Sequence, residues 1–342
     1  MTTIKDVAEK ANVSIATVSR VLNNTRYVSP EIVLRVHQVV EELHYEHNAL
    51  ARNLRRNQSL TLGVIIPDSN NPFFAEVTRG VEDACFDQGY VVVLCNTSES
   101  TEKAASYLTT LYQHRAAGII IVSPGDMTDE LQAYLDKGYP IVVVDRPLPR
   151  VAADMVVSDN YGGAMMAVQH LIELGHKRIA FILNEEPLET VKSRWQGAQD
   201  AMSEAGLSID PDLIYHQGDF LPESGYKAAH HFLQMPTPPS AIFAFNDLMA
   251  FGVLSFAYDR HIRIPEDLSV IGFDDIAISA YAVPSLTTIA QPKYELGQKV
   301  AEILLKRIQG DDAAVVHLTL PTELVIRKST AAPARLLRDI KI

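Results

Sequence analysis

The chain has 342 residues, 47% of them hydrophobic, and its 30 basic and 42 acidic side chains give a formal net charge of −12. This composition excludes disordered and fibrous classes, and the negative total argues against a protein that clamps nucleic acid over its whole surface. Residues 1–60 hold 8 basic and 6 acidic side chains and the remainder 22 and 36, so a head of +2 precedes a body of −14. Neither a secretory leader nor an apolar run long enough to span a bilayer is read, so the expectation is a cytoplasmic protein without membrane contact. Cys85 and Cys95 lie in apolar surroundings and read as packed thiols, and the eleven histidines show no ligand spacing, so neither a metal nor a cofactor is expected.

In chain order, Thr3-Ile4-Lys5-Asp6 has the form of a capping box, in which the Thr3 hydroxyl accepts from the Asp6 amide while the Asp6 carboxylate reaches back. Ile4, Val7, Ala8 and Ala11 then recur at helical spacing, and the helix stops at Asn12-Val13. Ser14 is the next cap. From there Val18, Val21 and Leu22 point inward, which leaves Ile15, Ala16, Ser19, Arg20 and Asn23 on the solvent side. Two short helices so closely joined make a helix-turn-helix, whose second member presents its N-terminal residues to the major groove. Ile15 and Ala16 suit apolar contact with thymine methyls, and Arg20 can fork onto guanine O6 and N7. Ser29-Pro30 opens a third helix that carries Ile32, Val33, Val36, Val39, Val40 and Leu43 and ends near Tyr45. The competing reading is a small three-helix bundle with Arg20 as a solvated surface charge.

Ile4-Lys5-Asp6-Val7-Ala8 and the ungapped string from Val13 to Asn23 resemble the head of the LacI/GalR family of bacterial repressors. The resemblance implies that residues 48–54 are the family's hinge helix, which folds on operator DNA and pushes a leucine pair into the minor groove, with Leu54 at the matching position. An apolar wedge that kinks the duplex, flanked by Arg52, Arg55 and Arg56 on phosphates, agrees with that role. A core position in an ordinary linker helix is the plainer explanation of Leu54. The DNA-contacting set expected is therefore Thr3, Ser14, Ile15, Ala16, Thr17, Ser19, Arg20 and Asn23 in the head and Asn48, Ala51, Leu54 and Arg55 in the hinge.

The body begins with Thr61–Pro67, a short apolar run closed by proline, followed by a helix from about Pro72 to Gln88 and a second strand over Gly89–Cys95. Further apolar strands are expected at Gly118–Val122, Pro140–Asp145, Arg178–Ile182, Ala241–Phe245 and Leu268–Phe273, with helices between them. Their near-continuous apolar character points to buried parallel sheets covered on both faces, and such sheets bind ligands beyond the carboxyl ends of their strands. At those ends stand Asp68 through Phe74, Asp145-Arg146-Pro147, Asn246-Asp247 and Asp274-Asp275. Forked hydrogen-bonding groups span adjacent ring hydroxyls, and aromatic faces cover the apolar side of a sugar, so the set describes a polyhydroxylated ligand. Each residue also has a duller explanation: Asp68 and Asp274 as helix caps, Phe73 and Phe74 as core, Arg146 as the partner of Asp145.

The whole body resembles a type I periplasmic binding protein, two lobes joined by three crossovers, and its site resembles that of ribose-binding proteins. By that similarity Phe73 and Phe74 stack on the pyranose while Asn71, Asp145, Arg146, Arg194, Asn246, Asp274 and Gln291 hold its hydroxyls. Residues 79–86 and 93–97 also resemble ribose-operon repressors, whereas Ile15-Ala16 departs in the recognition helix and leaves the operator sequence open. An α/β sugar enzyme is the reading from a different class, and against it no phosphate-cradling glycine loop follows any strand. A transport binding protein is a third, opposed by the DNA-reading head. Within the repressor reading a purine or nucleoside effector is the main rival, since Phe73 can stack on a base. A family member regulated by a protein partner is a further alternative.

The expected architecture is thus an all-α helix-turn-helix domain over residues 1–47, a hinge helix and linker over 48–60, and an α/β two-lobed sensor with parallel sheets over 61–342. The expected function is a sugar-responsive repressor, acting as a homodimer on a near-palindromic operator, with a ribose-like effector.

Overall fold

The computed structural model describes residues 2–23, 26–45, 59–185 and 188–333. Contacts divide the chain into two compact units, Met1–Ser59 and Leu60–Ile342. The expected hinge residues Asn48, Ala51, Leu54 and Arg55 lie outside the described residues, as does the side chain of Asn23.

In the first unit, α1 (Ile4–Lys10), α2 (Ile15–Asn23) and α3 (Pro30–Glu42) pack around Val7, Ala8, Ala11, Val18, Val21, Val36 and Val39. The capping box closes as expected: the Asp6 amide donates to Thr3 Oγ1 at 3.4 Å and the Thr3 amide to Asp6 Oδ2 at 2.7 Å. The Thr3 amide, together with the Thr3 hydroxyl donating to the same oxygen at 2.8 Å, holds the Asp6 carboxyl below its ordinary range. Ser14 starts α2 by accepting from the Thr17 amide at 3.1 Å. Ser29 differs from expectation, because its side chain makes no cap bond and Pro30 sets the first turn of α3. That helix ends before Tyr45 because His44 takes the left-handed conformation, with φ 45°, and the Tyr45 amide folds back onto the Val40 carbonyl.

The second unit contains two six-stranded sheets. In the first lobe β1 (Thr61–Ile66), α4 (Pro72–Phe86), β2 (Val91–Asn96), α5 (Thr101–Gln113), β3 (Gly118–Ile121), α6 (Thr128–Leu135), β4 (Ile141–Val144) and β5 (Asp154–Ser158) alternate as a doubly wound fold. In the second, α7 (Asn160–Glu173), β6 (Ile179–Asn184), α8 (Glu189–Glu204), β7 (Ile214–Gly218), α9 (Pro222–Leu233), β8 (Ala241–Ala244), α10 (Asp247–Asp259), β9 (Ser269–Asp274) and β10 (Thr287–Ala290) repeat the pattern. The chain then returns, so that α11 (Lys293–Ile308) packs on the first lobe and β11 (His317–Leu320) joins its sheet, while β12 (Glu323–Val325) joins the second. The strand orders are β11-β5-β4-β3-β1-β2 and β12-β10-β9-β8-β6-β7. Three crossovers therefore connect the lobes, at residues 159, 291–292 and 321–322, and two are tied together: the Asp159 amide donates to the Leu320 carbonyl and Thr322 Oγ1 to the Asp159 carbonyl.

Two expectations need correction. The second sheet is not wholly parallel, because the crossover that delivers β12 returns it antiparallel to β10. Strand β2 is apolar yet not buried, since it forms the sheet edge with Val91, Val93 and Leu94 exposed. Helices α4 and α11 cross at mutual glycines, where a Cβ on Gly80 would lie 2.1 Å from the Tyr294 carbonyl oxygen and one on Gly297 2.0 Å from that of Val77. Alanine at 297 gains about 1 kcal/mol of helix propensity but forces two backbones apart in a close-packed core. The overlap should win, so Gly297→Ala is expected to destabilise the sensor by at least about 2 kcal/mol in denaturant titration.

Candidate functional site

The segments that follow β1, β2, β4, β7, β8, β9 and β10, together with α8, line one cavity of about 320 Å³. All nine residues expected to contact an effector border it. Each is placed by the local backbone. Asn71 caps α4 through its Oδ1, which accepts from the Phe73 amide at 3.0 Å, and Asn246 caps α10 in the same way through the Met249 amide at 2.9 Å. Both caps fix the side-chain oxygen and leave the amide nitrogen directed elsewhere; that of Asn246 donates to the Phe220 carbonyl at 3.0 Å. Phe73 and Phe74 meet edge to face, with centroids 5.1 Å apart, and belong to the lobe core as well as to the cavity wall.

Asp145 and Asp274 leave their strands in backbone conformations costly for any residue with a Cβ, at φ 67° and 120°. At Asp145 the turn is a tight one, with the Arg146 amide donating to the Val144 carbonyl at 2.8 Å. The Arg146 guanidinium makes a forked pair with Glu99, at 2.6 and 2.8 Å, whereas Asp145 stands 4.0 Å away; the pairing with Asp145 weighed from sequence is thus secondary. Arg194 donates from Nε to Asn160 Oδ1 at 2.8 Å and from Nη1 to the Phe245 carbonyl, and its remaining nitrogen lies 3.9 Å from Asp274 Oδ1. Gln291, in a crossover, donates to that same Asp274 oxygen at 2.7 Å. Asp274 accordingly caps no helix. Two buried acceptors, Asp145 Oδ1 and Gln291 Oε1, have no hydrogen-bond partner among the described residues.

Burial dominates the electrostatics. Desolvation pushes the Asp145 and Asp274 carboxyls up against the pull of the neighbouring guanidiniums, and it pushes Arg194 down. Behind the cavity Asp247 is fully buried and accepts from the Ile276 amide and from the Ser279 and Thr288 hydroxyls, yet desolvation still raises it from 3.8 to about 6. A raised folded-state pKa means stability that is present below the unfolded value and lost as pH rises through the folded one. Asp247→Asn has no such loss, so its unfolding free energy relative to the native protein should become more favourable from about pH 4 to about pH 7, by on the order of 2 kcal/mol in denaturant titrations. A parallel pair of pH profiles would remove this assignment.

Sequence reasoning missed Glu99, Thr190, Asp219, Phe220 and Leu221 on the cavity wall. Phe220 follows β7, whose sequence Ile-Tyr-His-Gln-Gly lacks the apolar run that marks the other strands. Glu99 sits in a polar turn before the cap of α5, where nothing in the local pattern sets it apart. Among the described residues no group of three or more His, Cys, Asp or Glu side chains is arranged to hold a metal ion, and no helix is long and apolar enough to cross a membrane.

On the head, Ile15, Ala16 and Arg20 are exposed along α2, Thr17 and Ser19 are half-buried, and Thr3 and Ser14 are exposed helix caps. Residues 3–48 match the model of bacterial regulatory proteins of the lacI family, and residues 168–330 match that of a periplasmic binding protein-like domain. The HTH-type transcriptional repressor PurR of Aliivibrio salmonicida is 40% identical over 331 residues, 96% of this chain and 99% of the relative. The chain belongs to the LacI family. A LacI-family regulator of Enterococcus faecium solved with bound ribose is 36% identical, with a TM-score of 0.73 over 80% of this chain and 99% of that one. The Lac repressor dimer bound to operator and the anti-inducer ONPF is 28% identical, with a TM-score of 0.87 over 97% of this chain and 99% of that one. This LacI-family protein is a DNA-binding transcriptional repressor and not an enzyme. Repressors of the family bind operator DNA and small-molecule effectors as dimers.

Proposed function

We propose that the repressor senses a small polyhydroxylated effector, ribose or a similar pentose or aldopyranose, in the cavity between the two lobes. The observation that carries this reading is the pair of unpartnered buried acceptors, Asp145 Oδ1 and Gln291 Oε1, beside buried guanidiniums. A hydroxyl both donates and accepts, so a ring of hydroxyls satisfies both kinds of group at once. Phe73, Phe74 and Phe220 supply apolar surface for the ring, and the volume suits a monosaccharide. The ribose-bound Enterococcus faecium regulator supports the same reading. A second reading is favoured by the full-length relatives named PurR: a purine whose flat base lies against those phenylalanines.

Calorimetric titration of the full chain with D-ribose and with hypoxanthine separates the two. Ribose is expected to bind, and Asp274→Ala to weaken it by at least about 2 kcal/mol because the enclosed Gln291 amide loses its acceptor and the Arg194 guanidinium its nearby carboxylate. Binding of hypoxanthine alone would transfer the assignment to the purine.

The head reads a near-palindromic operator through paired recognition helices, in a homodimer within the cytoplasm. Exposed Val91, Val93 and Leu94 on β2, with Tyr281 and Val283 on the second lobe, are apolar surfaces that a second copy would cover. The proposed domain limits are 1–47, 48–60 and 61–342, with Leu54 of the hinge as the minor-groove wedge. If Arg20 forks onto a guanine, Arg20→Ala weakens operator binding by about 1–3 kcal/mol and leaves binding to random DNA nearly unchanged. Equal losses on both DNAs in a filter or anisotropy titration would make Arg20 a phosphate contact.

A further inference from the structure

We propose that Glu99 is a specificity residue of the cavity, neutralising Arg146 so that the site admits an uncharged ligand and rejects the phosphorylated form of the same ligand. This rests on reading the cavity as the effector site. Arg146 is the buried cation best shaped to grip an anion, because a guanidinium fork matches the oxygens of a phosphate or carboxylate. Here the fork is already filled. Both terminal nitrogens are committed to the Glu99 carboxylate at 2.6 and 2.8 Å, one of them also reaches the Ser123 carbonyl at 3.3 Å, and the guanidinium lies between the rings of Phe74 and Phe220, at 5.8 and 5.7 Å from their centroids.

The loop holds Glu99 there against its own preference. Ser98 and Glu99 are consecutive residues with φ 53° and 59°, a conformation that side chains with a Cβ adopt at a cost. It is imposed from both sides: the Ser98 amide donates to the Pro67 carbonyl at 2.7 Å, and Ser100 caps α5 by accepting from the Lys103 amide at 3.1 Å. The Glu99 side chain is 42% exposed while that of Arg146 is only 6% exposed, so the carboxylate closes over the guanidinium from the solvent side.

The wider charge balance acts in the same direction. Among the described residues Asp68, Glu99, Asp145, Asp219 and Asp274 face the cavity, with Arg146 and Arg194 as the cations opposite. Acidic side chains thus outnumber the guanidiniums around the cavity. Without the Glu99 charge the Arg146 fork is no longer held by an ion.

The test uses the full chain and the variant Glu99→Gln, which keeps side-chain length. Two measurements are made. In thermal unfolding with millimolar inorganic phosphate against equal ionic strength of chloride, the native protein should gain nothing and Glu99→Gln should be raised in melting temperature. In calorimetry, the ratio of the Kd for ribose 5-phosphate to that for D-ribose should fall by at least about tenfold in Glu99→Gln. Equal stabilisation of both proteins by phosphate, or of neither, overturns the proposal. An unchanged Kd ratio with ribose still bound also overturns it. If D-ribose binds neither protein but the phosphate contrast holds, the sugar reading falls and the role of Glu99 in excluding anions stands. The melting temperature of Glu99→Gln without added phosphate shows that it folds.

Discussion

Two guanidiniums are held out of water where the lobes meet, and the rest of the sensor is organised around keeping them there. An isolated buried charge costs several kcal/mol, so each needs partners with good geometry. Arg194 finds an amide oxygen, a carbonyl and a more distant carboxylate, all from its own lobe, and lies 3.8 Å over the Phe273 ring. Arg146 finds one carboxylate from the loop after β2 and a carbonyl from the strand end beside it. Both guanidiniums are partnered in this way, while two buried acceptors beside them, Asp145 Oδ1 and Gln291 Oε1, have no partner among the described residues. A ligand that donates to those acceptors would therefore do more than fill space: it would relieve a polar deficit that the folded protein carries.

The backbone supplies the positions. Asp145, Asp274 and Glu99 all adopt positive φ at or just beyond the carboxyl ends of strands in the two sheets, so three of the cavity's carboxylates are aimed by conformations that cost energy. Such strain persists only where surrounding hydrogen bonds over-determine it, as the Val144 carbonyl does for the turn at Asp145 and the Pro67 carbonyl does for the loop before Glu99. Stability and function pull in opposite directions at these sites. The raised carboxyl of Asp247, immediately behind the cavity, shows the same conflict in its titration.

Much of this was legible in the sequence. The head was, because its helices announce themselves through a capping box at Thr3, an N1 proline and a clean inward face of Val18 and Val21. Most buried strands were, because parallel strands covered on both faces are apolar throughout. What stayed hidden follows from the same physics. Strand β5 (Asp-Met-Val-Val-Ser) is short and polar at both ends, strand β7 is interrupted by His216 and Gln217, and β2 reads as buried because periodicity reports apolarity and not position at a sheet edge. The nine residues expected to contact an effector, all of which border the cavity, could be named because they sit at strand ends or carry a recognisable motif. Glu99 could not: its importance comes from a partner 47 residues away, and only the fold joins them.

The crossovers make the cavity more than a static pocket. Gln291 lies in one of them and bonds Asp274 at the end of β9, while Asp159 in another is bonded on both sides by the crossover that holds Thr322. A ligand that engages Gln291 Oε1 would touch a segment that joins the lobes, and were the lobes to take two arrangements its binding energy would differ between them. Only that difference can shift the population of the two arrangements; a contact of equal strength in both shifts nothing. If one arrangement suits paired heads on an operator better than the other, linkage then requires operator DNA to change effector affinity by the same factor that effector changes operator affinity. The contacts able to carry such a difference are those that span lobes or crossovers, which places Gln291 and Arg146, and not the helix-capping Asn71 and Asn246, at the centre of any response.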